Sequence, residues 1–301
     1  MAKAWSIPDL HSELDAAGAA RAILDIRFRQ MVEHREAVLL DEDIEDVHDM
    51  RVASRRLRAA WQAVEGVYPN AATRQFREEA RQLTRMLGAV RDLDVIREDY
   101  ANARRRAPRD QRKGLSLVGR TLAAMRAYRF LKLSEALAVW RHEPFLEWLG
   151  TASVRMKATE LRLGDLADVQ IAPAVEGFLT RTGALALPDA FTAHHDLRIA
   201  GKKLRYVVEI FAPCVPDAEG VLDGLRDVQE ALGVVQDRDM MGQFFAERLP
   251  VSHEPETAAL AWLVADHRRR REIAYRRALT TWNRAVKTGF GTALQGLIRN
   301  P

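Results

Sequence analysis

Two stretches decide how the chain is built: HDMRVASRRLR, His48 to Arg58, and HDLRIAGKKLR, His195 to Arg205. His195 lies 147 residues after His48, about half of the 301-residue length. His, Asp, Arg, Ala, Leu and the final Arg recur in place, and the other pairs are Met/Leu, Val/Ile, Ser/Gly and twice Arg/Lys. A pattern repeated at that distance marks an internal duplication.

On a helix turning roughly 100° per residue, His48, Arg51, Arg55 and Arg58 share one narrow arc. Met50, Ala53, Leu57, Ala60, Trp61 and Val64 gather opposite, as an amphipathic helix requires. The second copy sets His195, Arg198, Lys202 and Arg205 against Leu197, Ala200 and Leu204, while Arg56 and Lys203 fall on the flank. Each copy thus carries a basic stripe almost without acids. Like charges at i, i+4 repel by a few tenths of a kcal/mol, so a twice-repeated unbalanced stripe points to a polyanionic ligand.

Outward from these helices the chain keeps its period. The acidic run Asp41 to Asp46 suits the N-terminus of the first basic helix, and Thr192 is the expected cap of the second, with His195 in its first turn. A helix is expected over about His11 to Leu40, and the first basic helix should stop near Gly66, before the Pro69-Asn70 turn. The next helix starts near Ala71. It holds LGAVRDLD, Leu87 to Asp94, echoed by LGVVQDRD, Leu232 to Asp239. An interior glycine costs about 1 kcal/mol relative to alanine, so Gly88 and Gly233 predict a helix crossing closely there. Asp92 and Asp237 can orient the arginines of the basic helices, or simply cap or pair at the surface.

ANARRRAPRDQRKG, Ala101 to Gly114, is expected to be a solvated basic connection. Beyond it, Leu115 to Trp140 is helical, with Arg126 and Arg129 inside the apolar face. The last helix repeats the feature with Arg268 and Arg271, and arginines seldom face inward unless paired. These four are expected to border an internal channel. The joint between halves is expected at Gly164 to Pro173. Pro213 and Pro216 end the second basic helix, and Pro250 to Pro255 precede the last one. Strand alternation and hairpin signals are lacking, so the fold class is all-α, with about four helices per half.

Composition narrows the function. Hydrophobic residues at 48% and charged ones at 29% suit a globular chain, and the net charge of +4 is mildly basic. One cysteine, Cys214, excludes an internal disulfide and fits a reducing cytosol. No signal peptide and no membrane span are expected, because no apolar run reaches the ~18 residues a span needs.

The twin His-x-x-Arg-x-x-x-Arg/Lys-Arg/Lys-Leu-Arg helices, each followed by Leu-Gly-x-x-x-Asp-x-Asp, resemble the CHAD family, the conserved histidine α-helical domain. The resemblance covers about residues 10–298, with repeats of about 10–163 and 174–298. It implies two four-helix bundles in pseudo-two-fold symmetry around a basic central pore. It implies binding of inorganic polyphosphate and a cytoplasmic place on polyphosphate granules. His48, Arg51, Arg55, Arg56, Arg58, His195, Arg198, Lys202, Lys203 and Arg205 would supply the basic groups. A binding module is therefore expected, not an enzyme, with no cofactor and no metal. One alternative is a metal-dependent phosphohydrolase of HD type, suggested by His48-Asp49 and His194-His195-Asp196. Its metal would meet cations on the same face where it needs further His and Asp ligands. The other is a nucleic-acid binder, but no helix-turn-helix, RNA-recognition or stacking-aromatic pattern accompanies the stripes.

Overall fold

The structure, a computed structural model, describes residues 4–155 and 160–298. Its described residues form helices and no strand, so the chain is all-α. In the first half α1 is Ala16–Glu33, α2 Arg35–Leu40, α3 Ile44–Ala63, α4 Asn70–Arg106, α5 Arg112–Val139 and α6 Glu143–Thr151. In the second, α7 is Leu163–Leu179, α8 Phe191–Ile210, α9 Ala218–Ala246, α10 Glu256–Lys287 and α11 Phe290–Gln295. None is long and apolar enough to cross a membrane.

The long helices pack in chain order: α1 on α3, α3 on α4 and α4 on α5, then α7 on α8, α8 on α9 and α9 on α10. The most extensive packing between the halves is α3 on α8 and α5 on α10, with α7 also meeting α1 and α3. The main core runs through both, from Ile23, Met50 and Leu87 to Phe178, Leu204 and Leu225. A second cluster joins Leu93, Ile96 and Leu122 of α4 and α5 to Phe245, Leu260 and Leu263 of α9 and α10. The repeats therefore share their cores. At Gly114 a β-carbon would lie 2.1 Å from the Pro255 carbonyl oxygen. Only glycine lets α5 come this close to the start of α10.

Several boundaries differ from the sequence reading. The helix expected over His11 to Leu40 begins at Ala16, where Asp15 accepts from the Gly18 amide at 2.8 Å, and it breaks at His34. The basic stretch Ala101 to Gly114 is largely helical. α4 continues to Arg106, and Arg104, Arg105 and Arg106 lie in its last turn, where cations complement the helix dipole. Pro108 then keeps Ala107 extended, and α5 starts at Arg112.

The expected joint, Gly164 to Pro173, lies inside α7, which takes Pro173 within its length. α7 starts at Leu163 because Asp165 caps it, accepting from the Arg162 amide at 2.8 Å. The joint thus comes earlier, before Arg162. There the entries to α1 and α7 bind each other: Ala16 donates to Leu161 and Leu163 donates to Leu14, each at 2.8 Å. α3 does begin on the acidic run, with Asp43 accepting from the Glu45 amide. Thr192, however, does not cap α8. The helix starts two residues earlier than such a cap implies, at Phe191, its cap residue Ala190 offers no side-chain acceptor, and His195 falls in the second turn.

Candidate anion-binding site

The two basic helices face each other because their apolar sides are fully committed. Met50, Ala53, Leu57 and Ala60 of α3 are buried, as are Leu197, Leu204 and Val208 of α8. That leaves Arg51, Arg55, Arg198 and Lys202 toward the seam between α3 and α8. Lys202 carries the clearest signature of the grouping. Burial, then the charges of Arg198, Arg55, Arg51 and Arg205, push its ammonium down to about 6. Cations from both helices therefore act on one amine.

Floor and walls come from the two Leu-Gly segments. A β-carbon on Gly88 would stand 3.5 Å from the Arg51 Nε, and one on Gly233 would stand 4.0 Å from the Arg198 Nε. The crossing helix expected at these glycines is instead an arginine side chain lying over each. The nearest carboxylates are the first aspartates of these segments, Asp92 and Asp237. Asp92 accepts from the Arg51 Nη2 at 3.1 Å. Asp237 is pushed above the ordinary carboxyl range by burial, against the pull of Arg198 and Lys202. In both arginines Nε is buried and makes no hydrogen bond to the described residues. A buried donor left unmade costs about 1–3 kcal/mol, so both repeats keep an aimed, unfilled donor in the same place.

The remaining candidates separate. His48 is half-buried, and its imidazole is pushed down by burial and by Arg91. His195 is exposed, its Nδ1 2.9 Å from the Gln236 Oε1. Arg58 is exposed along much of its length, and partial desolvation of its head group, then the charges of Arg81, Arg55 and Arg85, hold its guanidinium below the ordinary value. Lys203 is exposed. Arg56 and Arg205 are buried and converge on Glu209, at 3.5 Å and 3.4 Å. Sequence reasoning missed Glu209 and the buried Arg27 beside it, which lie off both repeated motifs. It also missed Arg91, whose charge acts on His48 and Arg51 alike.

The inward arginines behave otherwise than expected. Arg129 and Arg268 are exposed. Arg126 and Arg271 are buried, but carboxylates neutralise them. Arg126 donates to Asp94 at 3.0 Å and to Asp41 at 2.6 Å. Arg271 donates to Asp239 at 3.0 Å and to the Pro188 carbonyl, and sits 3.1 Å from the His194 Nδ1. Arg126 therefore matches Arg271 and not Arg268, and Asp94 matches Asp239. The last aspartate of each Leu-Gly segment clamps the following long helix, which explains an inward arginine without any channel. His194, not the motif's His195, is the buried histidine here. Among the described residues no group of three or more His, Cys, Asp and Glu side chains is placed to hold a metal ion.

The chain matches solved structures in fold. A crystal structure of the CHAD domain from the plant Ricinus communis aligns at 23% identity, covering 93% of this chain and 95% of that one, with a TM-score of 0.71. PptA from Streptomyces chartreusis aligns at 19% identity over 89% of this chain and 99% of its own, with a TM-score of 0.70. No curated protein sequence matches the chain. The CHAD domain model matches residues 22–246 and 214–301. The chain belongs to the CHAD domain family.

Proposed function

We propose that this protein binds inorganic polyphosphate in the seam between α3 and α8, as a binding module rather than an enzyme. The observation that carries the reading is the group of Arg51, Arg55, Arg198 and Lys202, crowded until the lysine is pushed down to about 6. Such crowding costs stability in the empty protein, and a polyanion removes the cost. Polyphosphate offers about one negative charge per unit. Arginine forks give it charge-assisted bonds of ~1.5–3 kcal/mol each, before non-additivity. Asp92 and Asp237 hold Arg51 and Arg198 in place and give them up, in part, to phosphate oxygens.

On this reading the repeats line one basic pore, related by a pseudo-two-fold axis, and the protein sits on cytoplasmic polyphosphate granules. Competition calorimetry tests it. Long-chain polyphosphate should bind far more tightly than orthophosphate, and duplex DNA should displace it poorly, since a helix seam is too narrow for a duplex. Equal competition by DNA would replace this reading with the nucleic-acid one.

A further inference from the structure

Among the four cations of the seam, only Lys202 carries an amine. It occupies in the second repeat the position that Arg55 holds in the first. An arginine fork serves a phosphate at least as well as an ammonium and always keeps its charge. Anion binding alone therefore gives no reason for a lysine here. Lys202 is half-buried and makes no hydrogen bond or salt bridge with the described residues. Arg198 stands one turn before it on α8, and the charges of Arg51 and Arg55 reach it from α3.

The charges around this amine come close to balance without it. Asp92 and Asp237 face the group from α4 and α9. Of the outer arginines, Arg205 pairs with Glu209 at 3.4 Å and Arg91 with Glu45 at 2.9 Å. Arg51, Arg55 and Arg198 are left against two acids, an excess of one positive charge. Protonation of Asp237, which burial favours, enlarges that excess. An ammonium on Lys202 enlarges it too. Burial and the arginines oppose that form, so the amine is neutral at neutral pH and its lone pair is free. The Nε atoms of Arg51 and Arg198 are buried donors with no hydrogen-bond partner among the described residues. The group lacks one negative charge, spread over oxygens and held at Lys202.

We propose that Lys202 is a carbamylation site, where the side chain reversibly takes up carbon dioxide. The Nζ lone pair adds to the carbon of carbon dioxide and an N–C bond forms. One C=O electron pair moves onto oxygen, and the nitrogen gives a proton to water. The side chain passes from a neutral amine to a carbamate, with one negative charge shared by two oxygens. Guanidinium groups stabilise it as they do a carboxylate. The modified seam has lost part of its pull on a polyanion, so carbon dioxide and polyphosphate compete for the same arginines. Uptake itself needs only the cation group and holds whether or not polyphosphate is the ligand.

The test is NMR of the full chain in isotope-labelled bicarbonate, without polyphosphate. A carbamate carbon resonance is expected in the wild type and not in Lys202→Met; signals from other amines occur in both and cancel. Arg51→Ala should lower its intensity severalfold, because that cation both keeps the amine neutral and binds the carbamate. Trapping with a trialkyloxonium reagent, followed by peptide mass spectrometry, locates the group on the wild-type chain, so the result stands even if Lys202→Met fails to fold. No difference between wild type and Lys202→Met, or a trapped group on other amines only, overturns the site. In calorimetry at constant ionic strength, bicarbonate should weaken long-chain polyphosphate severalfold in the wild type and not in Lys202→Met. An affinity indifferent to bicarbonate while the carbamate is present overturns the competition. Carbamate formation in a protein that does not bind polyphosphate would overturn only the polyphosphate reading.

Discussion

Lys202 shows how far one residue's surroundings can move its chemistry. Its folded value of about 6 lies well below the ordinary lysine value of 10.5. Between these the unfolded chain holds a proton that the folded one has shed, so this group makes stability rise with pH across that window. Below about 6 both states are protonated and the penalty is complete. A polyanion reverses the shift, because nearby negative charge favours the ammonium. Polyphosphate should therefore bind with proton uptake above about pH 6, and its affinity should fall as pH rises from there toward the ordinary lysine range. Calorimetry in buffers of different ionisation enthalpy measures the uptake. Lys202→Met should abolish most of it and raise the melting temperature of the unliganded protein at neutral pH. Unchanged uptake in Lys202→Met would assign the proton to another group, Asp237 being the titratable neighbour that the Lys202 and Arg198 charges act on.

The clamps give a second prediction at this scale. Asp94 is buried against Arg126. Removing one partner of a buried pair leaves a charge uncompensated, at about 3–5 kcal/mol. Asp94→Ala should lose stability of that order in urea unfolding, and Asp239→Ala somewhat less because its side chain is less buried. A clamp residue is not a ligand, so binding of long-chain polyphosphate by whichever variant folds should stay within a few-fold of wild type. A binding loss as large as that of Arg51→Ala would return Arg126 to the candidate ligands.

Among the elements, α3 and α8 were legible from sequence because a periodic motif met twice fixes both the helix and its two faces. The apolar positions Met50, Leu57, Leu197 and Leu204 are buried as their period requires. Ends were less legible. Nothing local separates Arg104 to Arg106 in a loop from the same arginines in a last helical turn; the dipole and the packing of α4 on α5 decide. Pro173 read as a boundary because proline removes an amide and clashes within a helix, yet Leu166, Ile171, Val175 and Phe178 around it are buried, and that packing holds the helix together. In sequence Arg126 and Arg129 fall together on one apolar face. Only the tertiary position of Asp94 and Asp41 shows that the first is paired and the second is exposed. The equivalence of α3 and α8 makes its own prediction. Arg51→Ala and Arg198→Ala should each weaken long-chain polyphosphate by about 1–3 kcal/mol, and the double variant should fall short of additivity, since both groups hold one anion. A loss confined to one helix would show that the halves do not share a site.

For the whole molecule, formal charge says little and arrangement says more. A net charge of +4 on 301 residues is small, yet Arg51, Arg55 and Arg198 meet around Lys202 in one seam. A polyanion engaging several of them releases condensed counterions, by analogy with nucleic acids. The log of long-chain affinity should therefore fall linearly with log salt, and each cation removed from the seam should reduce the slope by about one. A slope unaffected by Arg51→Ala would place the long chain elsewhere on the surface.

The paired entries of α1 and α7 carry a consequence for ancestry. Ala16 corresponds to Leu163 and Leu14 to Leu161 at the spacing of the two basic motifs, so the two backbone bonds are the same bond given in both directions. Reciprocal contact of identical surfaces is the signature of an isologous interface. A single-repeat ancestor would make that contact with a second copy of itself. The present chain then reads as a homodimer whose subunits were fused, which freed each half to diverge. Glu209 in place of Gln62 is what a symmetric dimer could not have acquired.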